Sequence, residues 1–326
     1  MLRLLTGILM LVIFIFPASA LNGLAAEQEG NFLAGKLHLC YGAGKVFFEP
    51  DEEDLETLKL FSEEDKTVVA FFDILSKQSL GLAYSVPNMP VYKYLMSSLD
   101  EDHYMSLTVR ALCETADMKK SLSLCDRAMD AVADAYGEDS WEYAYLLNIK
   151  LQRYVLLGNV AEAEKTLARY LELNAANGRE KWWLNPTIYS YMAVGNISKE
   201  KEKEALACID SMNKAITEIP QDIVRLAGIV PFMNILYVYN TAGAWNESLD
   251  LAKKIKQWVE DSGLQGTEAH AYAKQCVGQA MTMTGSAAEA LTLFDEVKND
   301  YKRLGIEDCY YMTTLKNWIK FAKKKK

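Results

Sequence analysis

Hydrophobic residues recur along most of the chain at the three- and four-residue spacing of amphipathic helices. Between Trp141 and Asn174, large apolar and aromatic side chains follow this spacing in two runs, which Gly158 and Asn159 separate. A glycine–asparagine step interrupts helical periodicity because both residues tolerate the backbone conformations of tight turns. The segment therefore predicts two helices of about 14 residues, joined as an antiparallel hairpin.

The same layout recurs from about residue 100 onward. The predicted hairpin turns fall at Ala116, Gly158, Gly195, Gly243 and Gly285, which gives steps of 42, 37, 48 and 42 residues. A small side chain follows four of these turns by five residues, at Ser121, Ala163, Ser248 and Ala290. A small residue at this place lets the two helices of a hairpin approach closely.

The unit at Gly195 departs from this pattern. Its small residue, Ala205, follows the predicted turn by ten residues instead of five. An added turn of helix over residues 199–204 would explain the delay. The repeat as a whole predicts an all-α protein, a right-handed α-solenoid of antiparallel helical hairpins in which each unit buries its open face against the next.

Several residues of the repeat stand where tetratricopeptide repeats carry their typical side chains. They are Leu147, Tyr154, Gly158, Asn159, Ala163 and Leu167 in one unit, and Val277, Gly278, Gly285, Ala290 and Phe294 in another. Residues 135–148 are similar to the longer version of the repeat found in kinesin light chains. The resemblance covers about residues 100–305 and implies a tetratricopeptide-like fold, with the binding of proteins or peptides as the usual role of that family.

Four regions follow from these patterns. Residues 1–20 are a predicted secretory signal peptide, and residues 21–100 are a helical region that is either a set of divergent hairpins or a cap. Residues 101–305 carry the repeats, and residues 306–326 form a capping helix and a lysine tail. Within the second region, a Ser62-x-x-Asp65 cap followed by apolar residues to Leu75 predicts a helix, with a break at Pro87 and Pro90.

The first 20 residues have the layout of a secretory signal. They combine Arg3, an apolar run over residues 4–16 and a small-x-small site that ends at Ala20. The run is shorter than the roughly 20 residues that cross a bilayer. We therefore expect cleavage after Ala20, a periplasmic or secreted protein, and no membrane contact of the mature chain.

Composition narrows the classes of function. Half of the 326 residues are hydrophobic and 24% are charged, so the chain has enough apolar surface to form a core. Lysine and arginine number 35 against 44 acidic residues, a net charge of −9. The main basic cluster is the terminal run of lysines, so we expect no nucleic-acid partner.

Residues able to carry catalysis are scattered. His38, His103 and His270 lack the spacing of a zinc site, and Gly42–Lys45 matches a phosphate-binding loop only in part. We therefore expect no enzymatic activity, no metal site and no cofactor. The six cysteines show no C-x-x-C motif. They fit buried thiols, with one or two disulfides as the alternative in an oxidising compartment.

The predicted binding surface is the concave face that the first helix of each hairpin would line. Side chains three, six and ten residues before each turn point away from the second helix, and nearly all of them are uncharged. The candidates are Ser106, Arg110, Asn148, Gln152, Asn185, Tyr189, Tyr237, Asn240, Gln275 and Gln279. Rings and amides suit an extended backbone, whereas acidic tails would need lysines and arginines.

The sequence thus predicts a scaffold that binds a protein or peptide partner, with Asn148 and Tyr237 at the centre and weak salt dependence. The same side chains suit a glycan or another small ligand, which stays the alternative. A third hypothesis, an all-helical enzyme with its site in residues 21–100, is disfavoured because that region shows no catalytic motif.

Overall fold

A computed structural model of the chain describes residues 63–219 and 228–326, and the regular structure in these ranges is helix, with no strand. The helices are α1 (Glu63–Ser79), a 3₁₀ turn (Val86–Asn88), α2 (Pro90–Ser98), α3 (Tyr104–Cys113), α4 (Met118–Tyr136), α5 (Trp141–Leu156), α6 (Val160–Ala176), α7 (Asn185–Ile197), α8 (Glu202–Glu218), α9 (Val230–Thr241), α10 (Trp245–Asp261), α11 (Glu268–Met283), α12 (Ala287–Arg303) and α13 (Tyr310–Lys325). The all-α prediction is confirmed for these ranges. The predicted signal peptide, Cys40 and Gly42–Lys45 lie outside the described residues.

Helices α3 to α12 form five pairs in which a short turn joins a first helix to a second. The second helices begin after the N-cap residues Asp117, Asn159, Lys201, Ala244 and Ser286, which lie 42, 42, 43 and 42 residues apart. Each first helix packs against its second helix, and α13 packs on the last pair. The repeat is therefore more regular than the sequence pattern indicated.

The predicted turn at Gly195 is wrong. Gly195 lies inside α7, where a β-carbon would come within 3.4 Å of methyl groups of Val155 and Val160. The glycine allows α7 to pack closely on the preceding pair. The chain turns instead at Glu200, whose φ is 61°, and Ala205 follows this residue by five, as in the other units. No added turn of helix is present, because α8 begins at Glu202.

Four of the five turns share one hydrogen-bond pattern. A residue at positive φ is followed by an N–H that donates to the carbonyl oxygen five residues back, as Asn159 does to Tyr154 at 2.8 Å and Ala244 to Tyr239 at 2.9 Å. This is the Schellman motif, which satisfies carbonyl groups that a helix end leaves free. The motif fixes the angle at which the second helix leaves the first.

Burial distinguishes the two helices of a pair. The first helices are buried on most sides, and in α5 and α11 this includes polar residues such as Asn148 and Gln275. The second helices bury one stripe and expose the rest. The small residues five after each turn lie in that stripe and are at most 1% exposed: Ser121, Ala163, Ala205, Ser248 and Ala290. The first helices are thus more fully buried than the second helices.

The five described cysteines are all unpaired. Cys125, Cys276 and Cys309 are buried, and Cys113 and Cys208 are partly buried. Burial raises the pKa of the Cys113, Cys125 and Cys276 thiols to about 12, so these groups stay protonated at neutral pH. For these five residues, the structure agrees with the prediction of buried or partly buried thiols and not with the alternative of disulfides.

Candidate functional site

The ten predicted binding residues differ widely in exposure. Five are buried: Ser106, Asn148, Asn185, Gln275 and Gln279. Four are partly buried, namely Arg110, Gln152, Tyr189 and Asn240, and Tyr237 is 45% exposed. One hydrogen bond joins two of the ten, from Gln152 Nε2 to Asn148 Oδ1 at 3.2 Å. The ten residues therefore do not form one continuous exposed surface.

Two of the buried amides are used inside the fold. Asn185 accepts a hydrogen bond from the Tyr170 hydroxyl at 2.8 Å and donates to the carbonyl oxygen of Glu180 at 2.7 Å. Gln275 accepts from the Tyr301 hydroxyl at 2.9 Å and donates to Thr314 at 3.0 Å. Both side chains hold neighbouring helices together, so neither is available to a partner in this structure.

A short stretch that runs from the last residues of α1 to the 3₁₀ turn contacts several pairs. We call residues 78–85 the crossing segment. Gln78 Nε2 lies 3.5 Å from the Cys113 sulfur at the end of α3, and the Ser79 carbonyl oxygen accepts the N–H of Ile229 at 3.1 Å. The segment thus connects the first pair with the beginning of the fourth.

The far end of the crossing segment contacts the last pair and the last helix. The Tyr84 ring meets the Tyr311 ring edge-to-face at 5.1 Å. The carboxylate of Glu268, at the start of α11, accepts the N–H of Ser85 at 2.8 Å, its hydroxyl at 2.8 Å and the N–H of Tyr84 at 3.1 Å. A turn of the backbone is therefore bound by a side chain of the repeat.

Glu268 is fully buried. Burial raises the pKa of this carboxyl to about 7, against the opposing effect of its hydrogen bonds from Ser85 and Tyr84. Three donors on one carboxylate are the arrangement that makes a buried acid tolerable without a cation. The contact makes the position of the crossing segment sensitive to the charge of one side chain.

Gly228 allows the crossing segment to come close. A β-carbon at this position would lie 2.0 Å from the Ser79 carbonyl oxygen and 2.5 Å from its carbon. Its φ of +66° is a second reason for glycine here. The fourth pair and the crossing segment are therefore in backbone contact that no larger residue permits.

The sequence interpretation missed Arg153. Its buried guanidinium donates to the Ser121 hydroxyl at 2.8 Å and to the carbonyl oxygens of Ala111 and Leu112 at 3.1 and 3.0 Å. These carbonyls belong to the C-terminal end of α3, where the helix dipole favours a cation. The sequence signal for this role was an arginine within an apolar helical run. The Arg153 side chain joins the first two pairs.

The described ranges contain no group of three or more side chains placed to hold a metal ion. In the same part of the chain no helix is both long and apolar enough to span a membrane. No protein-family model matches the chain, and no curated protein is similar to it at a significant level.

Proposed function

We propose that the protein is a helical-repeat scaffold that binds a short stretch of a protein partner along its first helices. The observation that carries this proposal is the crossing segment, whose backbone the repeat already binds at the Ser79 carbonyl oxygen and at the N–H groups of Tyr84 and Ser85. Glu268 accepts hydrogen bonds from the N–H groups of Tyr84 and Ser85 and from the Ser85 hydroxyl, and Ile229 donates to the Ser79 carbonyl oxygen. Both the backbone and the side chains of the segment therefore contribute to its recognition. Tyr237, Gln152 and Asn240 keep accessible area on the same set of helices.

The proposal includes the arrangement of the pairs. We infer a right-handed solenoid similar to tetratricopeptide repeats, with first helices on its concave side. Three features support this inference: the regular spacing of the second helices, the shared turn motif, and the packing of α7 on both α5 and α9. The chain is proposed to act without a cofactor and not as an enzyme.

The test uses the crossing segment as a peptide ligand. In a full-length variant, residues 80–85 are replaced by glycine and serine in equal number, which leaves the surface without its own occupant. A synthetic peptide of residues 78–89 is then titrated by calorimetry. We expect binding to this variant and none to the unmodified protein, where the tethered segment competes at a high effective concentration.

Two controls make the result decisive. Adding Glu268→Ala to the variant should abolish binding of the peptide, and a scrambled peptide should bind at least tenfold more weakly than the native one. Circular dichroism establishes that each variant is folded. Equal binding of the scrambled peptide, or no binding by a folded variant, would contradict a polypeptide-binding surface.

The glycan or small-ligand alternative makes a different prediction for the same helices. It requires that Tyr237→Ala weaken binding of soluble oligosaccharides while the peptide is unaffected. Secretion is a separate proposal. Material recovered outside the cytoplasm should begin at Leu21, and a sequence that begins at Met1 would show that the signal is not cleaved.

A further inference from the structure

Helix α13 has an exposed face whose charges are all of one sign. Residues 316–326 contain six lysines and no acid, although the whole chain has a net charge of −9. All six are exposed: Lys316, Lys320, Lys323, Lys324, Lys325 and Lys326. None of them forms an ion pair with an acid among the residues that the structure describes. The positive charge of this face is therefore not paired off within that part of the protein.

The acids of the neighbouring helix do not pair with this face. Helix α13 packs on α11 and α12. On α12, Glu296 and Asp300 pair with Lys274 of α11. Two further acids of α12 are exposed and form no ion pair with α13, namely Glu289 and Asp295. The acids at positions 307 and 308 precede α13 and lie at the opposite end of this helix from residues 320–326.

The surface helices of the repeat mix the two signs of charge. Each of the five second helices, α4, α6, α8, α10 and α12, carries acids as well as lysines or arginines. Interspersed charges of both signs keep a surface soluble without producing a strong field of one sign. Solubility alone therefore does not explain why α13 carries lysines and no acid.

Aromatic rings lie beside these lysines. Phe321 is 36% exposed, and its ring meets that of Trp318 edge-to-face with centroids 5.6 Å apart. Trp318 is partly buried and meets Trp245, at the start of α10, with centroids 6.1 Å apart. The Lys325 ammonium lies 5.6 Å from the centre of the Phe321 ring. The exposed face thus combines basic side chains with an apolar ring that is open to solvent.

This combination matches the surface of an anionic bilayer. Clusters of about four to eight basic residues on a helix attract anionic headgroups, and tryptophan and phenylalanine enter the boundary between headgroups and acyl chains. The sequence predicts no membrane contact of the mature chain, and a run of lysines alone would bind only marginally. The structure places Phe321 and Trp318 beside the lysines, which supplies the apolar contact that such a run lacks.

We propose that α13 docks on a bilayer that contains anionic phospholipid. The lysines of residues 316–326 would contact the headgroups, and Phe321 and Trp318 would contact the boundary with the acyl chains. The proposal does not rest on the scaffold function, because Tyr311, which contacts the crossing segment, lies outside residues 316–326.

Nucleic acid is the competing polyanion. Arginine is the usual residue for nucleic-acid phosphates, because its planar fork binds them through two hydrogen bonds. Helix α13 contains no arginine. Lysine is a compact point charge that suits the less directional attraction to a charged bilayer.

The experiment measures flotation of the full-length protein with two kinds of vesicle at low ionic strength. One kind is phosphatidylcholine alone, and the other contains about 30% phosphatidylglycerol. We expect about tenfold tighter binding, or more, to the anionic vesicles, and we expect added salt to remove most of this difference. The neutral vesicles measure what residues 1–20 and other apolar surface contribute.

Two matched triple variants test the role of α13. Lys320→Gln, Lys323→Gln and Lys324→Gln together should weaken binding to the anionic vesicles about tenfold or more. The control removes the same charge from exposed lysines of α2, α4 and α8, through Lys93→Gln, Lys119→Gln and Lys203→Gln, and should change binding less than about twofold. Phe321→Gln should weaken binding about threefold. All of these side chains are exposed, and circular dichroism checks that each variant is folded.

Tryptophan fluorescence shows whether α13 itself reaches the lipid. Brominated acyl chains quench a tryptophan only on contact, and residues 1–20 contain no tryptophan. Quenching by anionic vesicles should fall by about half or more in Trp318→Phe. Equal affinity for the two kinds of vesicle, equal losses in the two triple variants, unchanged quenching in Trp318→Phe, or tighter binding to a single-stranded oligonucleotide than to the anionic vesicles would overturn the proposal.

Discussion

Glu200 adopts, in the turn between α7 and α8, the left-handed backbone conformation that Gly158 adopts one repeat earlier. Their φ angles are 61° and 71°. In each turn the next N–H, that of Lys201 or Asn159, donates to the carbonyl oxygen five residues back, at 3.0 and 2.8 Å. The two turns are one motif built from different residues. A residue with a β-carbon loses about 1 kcal/mol in this conformation, so the third turn is strained where the second is not.

Relieving this strain should stabilise the protein. We expect Glu200→Gly to raise the free energy of unfolding by about 0.5–1 kcal/mol, the gain in the folded state being partly offset by the greater freedom of glycine in the unfolded chain. Gly158→Ala is the matched control and should lower it by about 1 kcal/mol. Urea unfolding measures both, and a destabilised Glu200→Gly protein would show that the glutamate side chain has another role.

The same turn shows what the sequence could and could not predict. Glycine served as the marker of a turn, but Gly195 is used for close packing against Val155, and the left-handed position is held by a glutamate. Ala205 follows the turn residue Glu200 by five residues, as the small residues of the other units do. A position buried between two helices restricts side-chain size more strictly than a turn restricts residue type. The small-residue spacing was thus the better guide to the repeat.

Arg153 should be more important for stability than its single charge suggests. Arg153→Met keeps most of the apolar stem but leaves the carbonyl oxygens of Ala111 and Leu112 without this donor in a buried place. We expect a loss of about 2–4 kcal/mol in the free energy of unfolding. Arg169→Met is the control. It removes ion pairs to exposed acids and should cost under about 1 kcal/mol. Similar losses for the two variants would contradict this assignment.

The sequence predicted the helices of the candidate binding residues but not the burial of five of them, for a physical reason. Offsets counted from a turn describe one pair alone, whereas the burial of Gln275 depends on Tyr301 and Thr314 in two later helices. The contact between Glu268 and Ser85 joins residues 183 positions apart and produces no repeating pattern in the sequence. Local spacing predicts which residues lie on the first helix of a pair, but it does not show which other helices pack against them.

The buried carboxyl of Glu268 should make stability depend on pH. Its pKa is about 7 in the folded protein and 4.5 is the ordinary value. Between these values the unfolded chain loses the proton while the folded chain keeps it. The free energy of unfolding should therefore be highest below about pH 4.5 for this group and should fall by about 3 kcal/mol as the pH rises to 7.

Glu268→Gln isolates this effect from the other titrating groups. The amide keeps a carbonyl oxygen that can accept the Ser85 hydrogen bonds and carries no charge at any pH. The difference in unfolding free energy between the unmodified protein and the variant should change across pH 4.5–7 and be flat above it. A constant difference over that range would show that the carboxyl does not titrate there.

Two glycine substitutions distinguish the effect of losing the crossing-segment contact from the effect of backbone strain. They are Gly228→Ala and Gly243→Ala. Both glycines have positive φ, at +66° and +72°, but a β-carbon on Gly243 would meet nothing within 4 Å, whereas on Gly228 it would overlap the Ser79 carbonyl. Gly243→Ala should therefore cost only the strain, about 1 kcal/mol. Gly228→Ala should cost more, because the backbone at Ser79 must move.

The displaced backbone should be visible directly. In Gly228→Ala the amides of Tyr84 and Ser85 should lose protection from hydrogen exchange, because movement of Ser79 would draw their N–H groups away from Glu268. In Gly243→Ala the same amides should keep their protection. Gly228→Ala should also bind the peptide of residues 78–89 in trans, because its own segment competes less well. If both variants lose the same stability and keep the same protection, the backbone contact at Ser79 does not hold the crossing segment in place.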